Sequence, residues 1–434
     1  MRCLGRLPQF HVELPQIGGD LDATRRQPSG RDSREMPRTS YELPSACYCT
    51  SMSSKRKPAI ALAMRYPDDV GLVWASMARF HSAAAEKLTG EVEHLICFPS
   101  LTERPAFATP WATRLACDWY DTRNPASRQR IRELVEKFNI KLVAYVSCLG
   151  QTIDLPFLRS LGLRTLNYEA DSYPAAPHQS WLKLAAKHVS RRWLKRGVHD
   201  RYIANAEHQG RFLARFARIP PERIETIVNG VDVDHFSPTP PPDPHSLDLP
   251  SSDMYVVSVS QARPEKRVDV LIDAAAEIFR LRPELSLTFV HVGAGQCLAE
   301  WQARAQRLGL AERYRFVCTK ADVVPYHRLA AVFAHPAERE SFGYAVAEAM
   351  ACAKPVVAAS SLGPAEIVLP GATGTLVEPG DSRGLAQAIL ALLDDPAQRE
   401  RMGQAGRERV LRHYNQWSLA VELARVFRSE IPGL

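Results

Sequence analysis

No C-x-x-C pair occurs among the nine cysteines of this 434-residue chain, and their number is odd. That rules out a zinc-finger spacing and offers no even disulfide framework, so a reduced, cytoplasmic setting is expected. Long apolar runs are missing too. None approaches the ~18 residues of a membrane-spanning helix, so no span is expected. Charge of one sign is scarce. The formal net charge is +7, and residues 1–57 supply +4 of it through 10 Lys/Arg against 6 Asp/Glu, leaving +3 for the rest. So small an excess argues against nucleic acid as a partner. What is present is a globular composition, 45% hydrophobic and 24% charged. The chain is too long for one core, so two domains are expected.

Residues 1–57 are rich in Arg, Pro, Ser and Gly and show neither helix nor strand period. They read as a disordered extension or, since Met52 stands just before the first clear strand, as an over-extended start. They hold no apolar stretch for a secretory leader, and Glu13, Asp20 and Asp22 oppose a transit peptide. From residue 58 onwards, apolar runs at 59–64, 94–98, 141–147, 165–168 and 201–204 predict buried strands, with a helix over 126–138. Strands alternating with helices predict a parallel sheet covered on both faces. Asn229-Gly230-Val231-Asp232 closes this half. Five prolines within residues 238–244 then predict a stiff, extended linker. A second alternating half follows, with strands at 254–260, 285–292, 313–317, 332–335, 355–359 and 375–377 and a helix over 268–281. The expected organisation is a first Rossmann-like domain over 58–236, a linker over 237–250, a second domain over 251–412 and a terminal stretch over 413–434, helical at 417–427. Ligands of open α/β sheets bind at the carboxyl ends of the strands, so both domains are expected to face one cleft.

The most informative stretch is Glu340-Ser341-Phe342-Gly343, followed after a run of small residues by Glu348. On one helix the two glutamates would stand about 12 Å apart along the axis, too far to cooperate directly as paired carboxyls roughly 5 Å apart do. Pro336 and Gly343 instead predict that Glu340 sits on a loop and that a helix starts near residues 341–344, with Ser341 as its N-cap. Unpaired amides there would bind an anion. Glu348, a turn inside the helix, would reach another part of the same ligand. A phosphate at the helix mouth between two carboxylates reads as a nucleotide-sugar pocket. The plainer reading is a loop–helix junction with surface acids.

This segment closely resembles the E-x7-E signature of the retaining family-four glycosyltransferases. The resemblance implies the GT-B fold, an α/β architecture of two Rossmann-like parallel-sheet domains facing an interdomain cleft, and a terminal helix that packs back on the first domain. It implies that Glu340 and the amides of Ser341, Phe342 and Gly343 contact the donor sugar, while Glu348 binds ribose hydroxyls. Lys266 and Arg263 would face the leaving diphosphate. In the family the arginine usually stands five positions before the lysine, where this chain has Gln261, so Lys266 is the firmer match. Gly363 matches the second of two family glycines, with Leu362 in place of the first. It would either let phosphate approach the backbone or simply end a strand. Gly293-Ala294-Gly295 lacks the third glycine of a dinucleotide fingerprint and reads as a tight turn on the cleft rim.

On the acceptor side the resemblance is looser. Gly71 is a fair counterpart of a glycine-rich loop. Many relatives carry a histidine after the strand at 165–168, where this chain has Glu169 and Asp171, either of which would hold the sugar or acceptor or merely form a turn. Between residues 181 and 201, Lys183, Lys187, Arg191 and Lys195 flank an apolar stripe of Leu182, Ala186, Val189 and Trp193. Such a helix would rest on anionic lipid at the inner face of a membrane, or be an ordinary surface helix. The expected activity is retaining transfer of a hexose from a UDP- or GDP-sugar to a hydroxyl of a glycan, a lipid-linked or a small-molecule acceptor. Neither cofactor nor metal is expected. The alternatives are a non-catalytic nucleotide-sugar or glycan-binding protein and a GT-B sugar-nucleotide epimerase.

Overall fold

A computed structural model of the chain describes residues 56–68, 72–103, 109–146, 153–170, 199–318 and 322–434. The expected extension over 1–57 therefore lies almost wholly outside the described residues, as do Gly71, Asp171 and most of the basic stretch at 181–201.

Two parallel sheets account for the alternating pattern. The first holds β1 (Ala59–Ala63), β2 (Glu93–Phe98), β3 (Thr113–Ala116), β4 (Ile140–Val146), β5 (Arg164–Glu169), β6 (Arg201–Ala204) and β7 (Ile224–Thr226). The second holds β8 (Met254–Val259), β9 (Leu287–Val292), β10 (Tyr314–Val317), β11 (Val332–His335), β12 (Val356–Ala359) and β13 (Gly374–Val377). Their orders are β3-β2-β1-β4-β5-β6-β7 and β10-β9-β8-β11-β12-β13. The strands are apolar runs buried on both faces, as Val-Phe-Ala-His of β11 and Val-Val-Ala-Ala of β12 show, which is what helices on both sides of a parallel sheet require. In each sheet the order reverses beside the first strand, between β1 and β4 and between β8 and β11. Such a switch point opens a crevice at the strands' carboxyl ends.

Both sheets lie in one compact unit, and the chain passes between them twice. Val231 N–H donates to Tyr414 O at 2.7 Å and Gln416 N–H to Val231 O at 3.0 Å, so the two crossings run side by side. A Cβ on Gly230 would stand 2.4 Å from Gln416 Cα, which explains the glycine in Asn229-Gly230-Val231-Asp232. The proline-rich segment is not extended throughout. A 3-10 turn over Pro244–Leu247 interrupts it, with the Asp243 carboxylate accepting from His245 N–H at 3.0 Å. Arg328 holds the preceding stretch through Ser237 O at 3.0 Å.

The last helix, Gln416–Ser429, returns to the first sheet and packs on helix Leu72–Lys87. Arg428 pairs with Glu91 at 2.7 Å, and Arg164 with Glu430 at 2.5 Å. Under that helix His81 is buried against the rings of Phe427 and Tyr168, and neither ring nitrogen has a hydrogen-bond partner among the described residues. Burial, then the nearby His94, lowers its pKa to about 3. A folded pKa below the unfolded value of about 6.5 means that the unfolded chain takes the proton first, so stability is whole above that value and falls as pH drops towards 3. His81→Phe should reduce the loss of unfolding free energy between pH 7.5 and 4.5 by about 2 kcal/mol, read from urea titrations at the two pH values. An unchanged loss would refute the buried neutral histidine.

Candidate active site at the second switch point

The loops that leave β8 and β11 meet at the crevice between those strands. After β8 the chain runs through Ser260, Gln261 and Ala262 into a 3-10 turn, Pro264–Lys266, and then helix Val268–Leu281. After β11 it runs through Pro336 to Glu340 and into helix Tyr344–Ala351. Backbone bonds lock these loops together. Glu338 N–H donates to Glu265 O at 3.0 Å, and Gly363 N–H donates to Glu340 O at 2.9 Å. A Cβ on Gly363 would lie 2.2 Å from Phe342 O. The glycine thus serves a close backbone approach, and its partner is the Glu340 loop. It lies within helix Leu362–Ile367 and does not end a strand.

At the centre, Lys266 Nζ donates to Glu340 Oε2, and His335 Nε2 stands 3.4 Å from the same oxygen. Burial pushes the Glu340 carboxyl up, but the Lys266 ammonium and the His335 ring outweigh it and hold the pKa at about 2. Glu340 is therefore ionised at any physiological pH. Only about a sixth of either side chain in the pair is exposed, 15% for Lys266 and 17% for Glu340.

Ser341 is not the N-cap of the following helix. Gly343 takes that position at φ 101°, a left-handed value that favours glycine, and no side chain caps the helix. Val346 N–H bonds back to Gly343 O at 3.0 Å, and among the described residues the Tyr344 and Ala345 amides take no backbone acceptor, which leaves them unpaired at the positive end of the helix dipole. The Phe342 side chain serves the packing below this loop. It is 2% exposed and packs edge-on against Tyr344 and Tyr414. Arg263 stands apart from the pair, half exposed, with Glu265 at 4.0 Å.

Gly293 and Gly295 serve the loop after β8. A Cβ on Gly293 would meet Ser260 O at 1.9 Å, and one on Gly295 would meet Ala262 O at 2.6 Å. They let the Gly-x-Gly turn lie flat on residues 260–262, where Ala262 N–H donates to Ala294 O at 2.9 Å. Glu169, at the end of β5, is fully buried and accepts from Asn167 Nδ2 at 3.1 Å.

Glu348 projects from helix Tyr344–Ala351 into the interface between the sheets. Its Oε1 accepts a 2.6 Å bond from the Ser76 hydroxyl of the first domain, and His327 Nε2 lies 3.6 Å from its Oε2. A second contact crosses the cleft. Helix Glu207–Arg215 begins after Ala206, which has no capping side chain. The Glu366 carboxylate of the other domain accepts from the Glu207 and His208 amides at 3.0 and 2.7 Å and from His208 Nδ1 at 3.1 Å. Burial raises the Glu366 pKa, but those donors lower it overall. Ser76, His327, His335 and Glu366 had no sequence signal of their own. Only the position of His335 as the last residue of an apolar strand at a switch point would have singled it out.

The family model for glycosyl transferases group 1 matches residues 242–409. The GDP-mannose-dependent alpha-(1-6)-phosphatidylinositol monomannoside mannosyltransferase of Mycolicibacterium smegmatis is 31% identical over 68% of this chain and 77% of its own length. The D-inositol 3-phosphate glycosyltransferase of Thermobifida fusca is 33% identical over 48% of this chain. The chain spans 50% of that relative's length and 57% of the length of a second such enzyme, from Catenulispora acidiphila. Among solved structures, Anabaena HepE in complex with UDP and glucose superposes with a TM-score of 0.69 at 20% identity, covering 85% of this chain and 99% of that one. Sucrose-phosphate synthase of Thermosynechococcus elongatus does so at 0.69 and 21%, covering 86% and 99%. This likeness is one of fold, the GT-B arrangement of two parallel-sheet Rossmann-like domains. By its match to the mannosyltransferase across most of both sequences, the chain belongs to the group 1 glycosyl transferases.

Proposed function

We propose that the chain transfers a hexosyl group from a GDP- or UDP-sugar to a hydroxyl acceptor, with retention of configuration and without a metal ion. The observation that carries this reading is the Lys266–Glu340–His335 set beside the open amides of helix Tyr344–Ala351, at a switch point of a parallel sheet. As the bond from the sugar C1 to phosphate oxygen breaks, negative charge grows on the nucleoside diphosphate. Lys266 and the amides are a cation and dipoles fixed beforehand, each worth about 3 kcal/mol in a dry cleft, while Arg263, half exposed, would contribute less. The acceptor oxygen bonds to C1 on the face the diphosphate leaves, and its proton passes to a phosphate oxygen. Glu340 stays ionised and accepts hydrogen bonds from the sugar. With a pKa of about 2 it has no proton to give at neutral pH.

Glu348 would hold the ribose hydroxyls, taking them in place of the Ser76 hydroxyl that it holds here. A carboxylate accepting two hydroxyls contributes about 2–3 kcal/mol. Glu348→Ala should therefore raise the donor KM by tenfold or more and leave kcat within about threefold. Steady-state rates over a range of donor concentrations test this, and an unchanged KM would remove the ribose role. A relative that uses GDP-mannose and a fold neighbour bound to UDP and glucose define the first donors to try. The reading as a whole is tested by incubating the protein with GDP-mannose or UDP-glucose, EDTA and inositol or phosphoinositide acceptors. Release of nucleoside diphosphate with formation of an α-linked glycoside supports it. Saturable donor binding without transfer or hydrolysis would favour a binding protein instead, and conversion of the donor without an acceptor a sugar-nucleotide epimerase.

A further inference from the structure

We propose that His335 is a positioning residue for the donor-sugar carboxylate, holding Glu340 so that one of its oxygens stays free for the substrate. The inference rests on the donor-sugar role assigned above to Glu340. His335 closes β11 at the switch point and is 1% exposed. Its flat neighbour is Phe333, and neither ring nitrogen makes a hydrogen bond among the described residues. An apolar side chain would fill that strand position with no polar group to desolvate. The charged group paired with the imidazole among the described residues is Glu340, with Nε2 3.4 Å from Oε2. Pro336 follows directly and fixes the exit of the backbone from the strand.

The arrangement divides the carboxylate. Lys266 and His335 both approach Oε2, while Oε1 takes no hydrogen bond among the described residues. An acceptor oxygen held clear of its neighbours is what a sugar hydroxyl needs. Lys266 has two claims on it, since the ammonium that grips Glu340 is also the cation best placed for a diphosphate. When a donor draws Lys266 towards phosphate, His335 is left as the partner that keeps Glu340 from turning. Its contribution would then fall on the chemical step and not on donor affinity.

Three variants test this: His335→Phe keeps the ring without a donor, His335→Gln places an N–H near the position of Nε2, and His335→Asn has an amide too short to reach. Rates of nucleoside diphosphate release from GDP-mannose or UDP-glucose are measured for each, beside Glu340→Gln. His335→Phe and His335→Asn should lose about tenfold to a hundredfold in kcat with donor KM within threefold, and His335→Gln should recover most of the loss. If the phenylalanine variant does not fold, the Asn–Gln pair gives the same comparison. Wild-type kcat in both Phe and Asn variants, or a glutamine variant no better than they are, overturns the proposal. Full turnover in Glu340→Gln would instead overturn the role of Glu340 itself, as would failure of the wild-type protein to use either donor.

Discussion

Lys266→Met should lower kcat by about 10²- to 10³-fold, the cost of removing one fixed charge from a site where diphosphate charge develops. The variant also leaves Glu340 largely buried with His335 as its remaining partner. Removing one member of such a pair leaves an uncompensated charge and should cost about 3 kcal/mol of stability. The two losses can be separated. In the double variant Lys266→Met with Glu340→Gln no unpaired carboxylate remains, so the melting temperature should return while turnover does not. The pH profile gives a further check. With lysine present, the carboxyl is ionised above about 2, and its protonation leaves no mark on activity at higher pH. Without it, burial pushes the pKa up against the histidine alone, and activity should fall with acid where the wild type is flat. Turnover within threefold of wild type in Lys266→Met would end the diphosphate role for this residue.

That pair also marks the limit of what the sequence discloses. The strands of the second sheet were legible because each is a short run of apolar and β-branched residues, and the expected ends differ from those of β8–β13 by at most two residues. The strands β3 and β7 were not. Thr-Arg-Leu-Ala and Ile-Glu-Thr are short edge segments with polar residues and little burial, so no buried run announces them. The Glu340 and Glu348 spacing identified the site region, because a loop–helix junction is local. Lys266 was placed near the diphosphate by resemblance, but its bond to Glu340 spans 74 residues. It exists because β11 crosses over to pair with β8. The same holds for Ser76 on Glu348, 272 residues away, and for Glu366 capping a helix of the other domain. Local chemistry predicts which groups a site uses, whereas sheet topology decides which of them meet. Gly343 illustrates the smaller error. A serine two residues earlier is the better N-cap by propensity, yet the tight turn out of the Glu340 loop needs a left-handed residue, and the glycine takes the position.

Glu340→Gln should show the mirror image of the Glu348 variant, with kcat lower by about tenfold to a hundredfold and donor KM nearly unchanged. The amide keeps the shape of the side chain and one acceptor oxygen but loses the charge that strengthens a bond to a sugar hydroxyl, worth about 1.5–3 kcal/mol. If that bond shortens as positive charge builds on the sugar ring, the loss appears in the transition state and not in the bound donor. The shape of the pH profile then separates two mechanisms that predict the same drop. A carboxylate held at about 2 by its neighbours does not titrate in the working range, so Glu340→Gln should lower the whole curve without deleting a limb. A glutamate acting as the proton acceptor for the incoming hydroxyl would titrate near the working pH, and its replacement would remove the acid limb. Loss of that limb, or equal and small effects in the Glu340 and Glu348 variants, would contradict the division between sugar and ribose on which the reading stands.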